Sequence, residues 1–268
     1  MHARLFTLTS LLLLLLNCPS SAQDWAKARL SGSPRHLEWV TVDSGDRKIE
    51  TYVAYPEKAE KATTVLVIHE IFGHSDWVKL LCDQLAEAGF IAVAPDLLSG
   101  MGPNGGATGA FADVEAARKA VSGLPRAQVV SDLTSVADFA KKLPASNGKL
   151  AVAGFCWGGS QTFVFASESS AMDASFAFYG SAPEDKDVLD KISKPVHGFY
   201  AENDARVNAT LLATEDAMAE LDKFFESVIY DGAGHGFMRA GDAPDASKEN
   251  AQARKDAWAR WLKELQAL

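Results

Sequence analysis

Three residues far apart in the sequence share one chemistry. Cys156 lies in Gly154-Phe155-Cys156-Trp157-Gly158-Gly159, which has the spacing of a G-x-S-x-G nucleophile elbow with sulfur in place of the hydroxyl and one further glycine. Such an elbow is a strained turn between a strand and a helix, so its neighbours must be small for the backbone to fold that tightly. Lys149 to Gly154 reads as the strand before it, and Trp157 to Ser167 reads as the helix after it. A cysteine at a helix N-terminus also meets the positive end of the helix dipole, which favours the thiolate. The competing reading is a buried structural cysteine in a glycine-rich turn, and it gives no reason for the flanking strand and helix.

His235 occurs in Asp231-Gly232-Ala233-Gly234-His235-Gly236-Phe237, a loop after the strand expected over Phe225 to Tyr230. A general base must stand free at the strand ends to reach the thiol. Asp204, in Asn203-Asp204-Ala205-Arg206-Val207, would orient the imidazole and stabilise its cation. Alone, such an aspartate is as readily a turn or helix cap, and Glu202 competes for the acid role. The chain order Cys, Asp, His is that of α/β-hydrolases. Of the other histidines, His36 sits in an amino-terminal hairpin and His197 inside a strand as a satisfied core imidazole, while His69 and His74 flank a loop that could line a pocket.

His69-Glu70-Ile71-Phe72-Gly73 follows the first buried strand. A backbone N–H here can complete an oxyanion hole with the N–H of the residue after the nucleophile, Trp157. Ile71 is the expected second donor. Glu70, beside the site, is placed to hold or accept the thiol proton; a carboxylate buried without a partner is costly, so either a hydrogen bond or a function is required of it. Cys82, within a helix, reads as a small core residue. No His/Cys cluster has zinc spacing and no phosphate-binding glycine motif is present, so neither a metal nor an organic cofactor is expected.

The elements that must position these residues follow a regular order. His36 to Val42 and Lys48 to Tyr55 alternate as a hairpin around Ser44-Gly45-Asp46. Strands are then expected at 64–68, 91–94, 149–154, 174–179, 195–200 and 225–230, and helices at 77–88, 113–122, 127–143, 157–167, 209–223 and 248–265. Continuous apolar strands alternating with helices predict an α/β fold, with a mainly parallel central sheet covered by helices on both faces. Ligands bind such sheets at the carboxyl ends of the strands, where all the candidate residues fall.

The chain has 268 residues, with 26 basic against 35 acidic residues and a net charge of −9, which argues against nucleic acid as a partner. Residues 1–22 read as an export signal: His2 and Arg4 precede an apolar run, Leu5 to Leu16, and Ser20-Ser21-Ala22 offers a cleavage site. Export to the periplasm or medium without a stable membrane anchor is expected. A lipoprotein lipidated at Cys18 and an uncleaved anchor are the second and third readings. Cleavage removes Cys18 and leaves only Cys82 and Cys156, too few for a disulfide framework. Residues 23–35 are expected to be an irregular lead-in, and residues 36–268 a single α/β domain.

With these residues in place, the chain resembles the dienelactone hydrolase family, α/β-hydrolases with a cysteine nucleophile. The matching pieces are His69-Glu70-Ile71-Phe72-Gly73, Ala94-Pro95-Asp96-Leu97, Gly154-Phe155-Cys156-Trp157-Gly158-Gly159, Asn203-Asp204-Ala205-Arg206-Val207 and Gly234-His235-Gly236-Phe237, over roughly residues 36–265. The resemblance implies a Cys156, Asp204, His235 triad, a thiol-interacting Glu70, and oxyanion donors at Ile71 and Trp157. It also implies that Arg239 binds a substrate carboxylate. A second arginine of the family's dienelactone-cleaving members would follow the Pro-Asp-Leu element, where this chain has Ser99-Gly100-Met101. The expected activity is hydrolysis of a small ester or lactone through a thioester. The alternatives are a thioesterase or general carboxylesterase on the same scaffold, or a binding protein that no longer turns over.

Overall fold

The computed structural model describes residues 23–268, so the expected export signal at residues 1–22 lies outside the described residues. The lead-in is not irregular: residues Asp24–Leu30 form a helix, α1. Asp24 in its first turn and Lys27 and Arg29 in its last complement the helix dipole. Ala26 is buried, and the Gln23 side chain accepts a hydrogen bond from the Trp77 N–H at 3.0 Å, which fastens α1 to the next helix. Tertiary contacts outweigh the breaker residues that follow.

Strands β1 (Leu37–Ser44) and β2 (Arg47–Ala54) form the expected hairpin, with Gly45 at φ +58° in the turn. The chain then alternates β3 (Ala62–Ile68), α2 (Asp76–Glu87), β4 (Ile91–Pro95), α3 (Val114–Ser122), α4 (Arg126–Lys142), β5 (Ser146–Phe155) and α5 (Trp157–Glu168). It continues with β6 (Ala174–Phe178), α6 (Lys186–Leu189), β7 (Val196–Asn203), α7 (Ala205–Glu220), β8 (Phe225–Gly234), α8 (Phe237–Ala240) and α9 (Lys248–Gln266). Helix α7 starts earlier than its apolar pattern predicts because Asp204 caps it, its carboxylate accepting from the Val207 N–H. Strand β8 runs four residues longer than expected because it pairs with β7 as far as Asn203 opposite Gly234. The single-turn helices α6 and α8 are too short to show a helical period.

The eight strands lie in the order β1-β2-β4-β3-β5-β6-β7-β8. The six strands from β4 to β8 are parallel, and the hairpin adds to one edge antiparallel through β2 and β4. Side chains on β3 alternate between the two faces: Val65 and Val67 pack with α2 and α9, and Leu66 and Ile68 with α4. Trp261 of α9 is fully buried, its ring edge-on to Phe155 at 5.8 Å and Phe178 at 5.0 Å. Among the described residues no helix is long and apolar enough to cross a membrane.

Strand order reverses at β3, whose neighbours are β4 on one side and β5 on the other, and a crevice opens at such a switch point. Ile68 lies opposite Gly154 in the register, so the segments leaving β3 and β5 start side by side. These carry His69 to Gly73 and Cys156 respectively. Trp261→Ala should cost ~3–5 kcal/mol through lost burial and the cavity left behind. Guanidinium denaturation measures it, and a loss below about 1 kcal/mol would mean that α9 does not hold this face of the sheet.

Candidate active site

Cys156 is the N-cap of α5 with φ +56° and ψ −115°, a region that side-chain-bearing residues seldom occupy. Its N–H donates to the Phe178 carbonyl on β6 at 3.0 Å, and its own carbonyl accepts from Ser160 N–H at 3.2 Å. The chain therefore leaves β5 and turns at once into α5, with the sulfur on the outside of the bend. The bend leaves no room at Gly154, where a Cβ would come 2.0 Å from the Gly158 carbonyl oxygen. Gly180 is packed as tightly, a Cβ there meeting Gly159 and Ser160 backbone atoms at 2.3 Å. The elbow motif pointed to Gly154, but nothing local in the sequence marked Gly180.

His235 follows β8 directly, and Asp204 follows β7. The His235 Nε2 lies 3.0 Å from the Cys156 Sγ, and its Nδ1 lies 2.5 Å from the Asp204 Oδ2. Asp204 is buried and also caps α7, so one carboxylate anchors a helix and aligns the imidazole. Burial disfavours charge on His235, but its hydrogen bonds to Cys156 and Asp204 prevail and raise its pKa to about 9. Glu202, the rival acid, instead accepts from the Gly232 N–H at 2.7 Å.

Neither the Ile71 N–H nor the Trp157 N–H has a protein acceptor among the described residues. Trp157 is the first residue of α5, where a helix leaves its N–H groups free. Its ring stacks on His69 at 5.6 Å, and His69 is fixed by a 2.7 Å contact from Nδ1 to the Glu70 carbonyl.

In the resting site the buried Glu70 has the hydrogen-bond partner that its burial requires. Its carboxylate is not on the thiol: Glu70 Oε2 accepts from Arg239 Nε at 2.7 Å, while the sulfur faces His235. Burial raises the Glu70 pKa, opposed by the Arg239 charge and hydrogen bond and by His235. A fully desolvated carboxylate takes the strongest donor within reach, which is the guanidinium. Arg239, expected to be free for a substrate, is thus engaged in the resting site.

A residue absent from the sequence-level candidates stands beneath the triad. Tyr179, at φ +41°, is fully buried, and its ring lies edge-on to His235 at 5.1 Å. Its hydroxyl has no hydrogen-bond partner among the described residues, and burial together with Glu70 raises its pKa well above the usual tyrosine value. Its signal was its place, directly after the carboxyl end of β6.

His197 is buried as expected and stacks on Phe176, with its Nδ1 3.7 Å from the Glu226 Oε2, an ion-pair distance longer than a hydrogen bond. It forms, with Glu226 and Glu264, a group whose ligand atoms lie within 4.8 Å of one another and could hold a metal. Arg260 already donates to Glu226 at 2.9 Å. His197 also lies at the start of β7, roughly 20 Å along the strand from Asp204, so this group stands apart from the triad.

A cavity of about 1000 Å³ has Phe72 and Arg239 in its wall. Cys156, His235 and Asp204 do not line it; its link to them is Arg239, which is hydrogen-bonded to Glu70, next to Ile71 in the chain. Trp39, His74, Lys79 and Phe111 form more of its wall.

The sequence profile of the dienelactone hydrolase family matches residues 49–268. A provisionally assigned carboxymethylenebutenolidase of Methylorubrum extorquens is 34% identical over 232 residues, covering 82% of this chain and 77% of that one. One of Saccharolobus solfataricus is 30% identical over 251 residues, covering 82% and 95%. Among solved structures, a provisionally assigned dienelactone hydrolase of Klebsiella pneumoniae superposes with a TM-score of 0.76 at 27% identity, covering 87% of this chain and 99% of that one. The architecture is the α/β-hydrolase fold.

The His235 environment ties stability to pH. Its folded pKa of about 9 exceeds the ordinary 6.5, so its contribution is complete below about pH 6.5 and is lost as pH rises through about 9. The wild-type protein should lose more stability between about pH 7 and pH 10 than His235→Gln, measured by guanidinium midpoints. Parallel profiles for the two proteins would show that the imidazole is not held in its charged form.

Proposed function

The chain belongs to the dienelactone hydrolase family, and on that premise we propose that it cleaves small esters or lactones through a Cys156, His235, Asp204 triad and a thioester intermediate. The reading rests on one observation above all, the continuous hydrogen-bonded line from the Cys156 sulfur through both nitrogens of His235 to the Asp204 carboxylate.

The chemistry follows from that line. The sulfur attacks the ester carbonyl once its proton has passed to the His235 Nε2, and Asp204 stabilises the imidazolium through Nδ1. The Ile71 and Trp157 N–H groups donate to the oxyanion, a pairing worth on the order of 100- to 1000-fold in rate per donor. The imidazolium proton then goes to the departing alkoxide as the C–O bond breaks, leaving an acyl group on Cys156. Water, deprotonated by the same nitrogen, attacks the thioester, and the carboxylic acid leaves as the thiol is restored. The sum is ester plus water giving acid plus alcohol.

Glu70 and Arg239 form the flank of this site. A polar group on the substrate that drew Arg239 away would leave Glu70 a buried carboxylate in search of a proton donor. In that state it could interact with the thiol, the role its sequence context suggests.

Steady-state hydrolysis of dienelactone, small aryl esters and acyl thioesters tests the proposal and ranks a thioesterase or general carboxylesterase against a lactonase. Cys156→Ala should abolish turnover, and Asp204→Asn should lower kcat on the order of 1000-fold or more because the imidazole loses its orienting carboxylate. Turnover that survives Cys156→Ala would sink the nucleophile assignment. Tight binding without turnover by the wild-type protein would favour a binding role.

A further inference from the structure

The cavity walled by Phe72 and Arg239 is large, and acidic residues outnumber basic ones in its lining. Its volume of about 1000 Å³ stands at the top of the roughly 300–1,000 Å³ usual for small-molecule sites. Trp39, Phe72 and Phe111 give it an aromatic wall, and Trp39 leaves 46% of its surface exposed. An exposed indole at the mouth of a cleft is a ready surface for an apolar or cationic ligand.

The charge of the lining is one-sided. Six carboxylates line the cavity, those of Asp24, Glu50, Asp76, Asp96, Asp113 and Glu115, against two cations, Lys79 and Arg239. Neither cation is free. Lys79 is paired with Asp76 at 2.8 Å, and Arg239 with Glu70 at 2.7 Å. Arg118 pairs with Glu115 at 2.8 Å. Asp24, Glu50, Asp96 and Asp113 take part in no salt bridge among the described residues; Asp96 is buried and accepts from the Leu98 N–H and from the Thr108 N–H and hydroxyl, Asp113 caps α3, and Glu50 is held only by the Thr41 hydroxyl at 2.9 Å. A cleft lined by one sign of charge between low-dielectric walls focuses its field, drawing in one class of substrate and repelling the other.

We propose that this cavity selects esters or lactones without a carboxylate, ranking cationic above neutral above anionic substrates, and seats an aromatic-sized body against Phe72, Phe111 and Trp39. Trp39 and Glu50 are its specificity-determining residues: one supplies the ring surface, the other an uncompensated charge. The inference rests on the hydrolase reading for its substrate class but not for its charge preference.

Three aryl esters with one scissile bond test it, differing only in a remote trimethylammonium, tert-butyl or carboxylate group. We expect kcat/KM for the cationic ester to exceed that for the anionic one by about tenfold or more, mainly through KM, with the gap narrowing as salt rises. Glu50→Gln should compress that ratio, and Trp39→Ala should raise KM for all three without changing their order. Affinities of the Cys156→Ala protein for the same esters, by calorimetry, rank the charge types without turnover, so a failed mechanism and a failed inference give different results. Equal affinities for the three esters, or preference for the carboxylate, would overturn the proposal.

Discussion

At Cys156 the backbone is held at φ +56°, a strain that costs on the order of 1–3 kcal/mol and persists only where the surroundings force it. Much of the site is arranged around that constraint. The Cys156 N–H is fixed by β6, Gly154 and Gly180 give way for the bend, and α5 begins one residue later. The bend turns the sulfur away from its own helix and toward the end of β8, where His235 waits at 3.0 Å. It also leaves the Trp157 N–H without a partner, opposite the loop that leaves β3. The proposed nucleophile and the proposed oxyanion donor are thus products of one turn.

The second organising influence is electrostatic. Two buried carboxylates serve the site from different sides, and each has a single dominant partner. Asp204 aligns and charges His235, whereas Glu70 is neutralised by Arg239. The buried Tyr179 ring lies against His235. Arg239 then leads outward to the cavity, over the face of Phe72 at 5.1 Å. Its charge is already matched on the inner side, so Arg239 does not offset those cavity acids, Asp24 and Glu50 among them, that have no salt-bridge partner among the described residues.

The strongest parts of this architecture are those that local chemistry writes into the sequence. Buried parallel strands show as apolar runs, and the elbow shows as glycines flanking Cys156, because both are set by residues within a few positions. The positions of Asp204 and His235 were readable because loops at strand ends are where such folds bind ligands. What stayed hidden depends on distant contacts. Helix α1 forms over a segment with breaker residues beside it because it packs on α2, and no local pattern announces that docking. Gly180 and Tyr179 matter through packing against an elbow more than twenty residues earlier in the chain. The Glu70 partner was hidden for the same reason: Arg239 lies 169 positions away, and only the folded sheet brings the two together.

The central claim is that the Cys156 sulfur carries the acyl group. The most direct measurement is intact-protein mass spectrometry after rapid acid quench, using His235→Gln to slow deacylation and an activated aryl ester as substrate. The account predicts a single adduct of the acyl mass that maps to the peptide containing Cys156, is released by neutral hydroxylamine, which cleaves thioesters and spares oxygen esters, and is absent from the Cys156→Ala/His235→Gln double variant. Adduct mass on any other residue, or turnover by the wild-type protein with an unmodified Cys156 throughout, would contradict it.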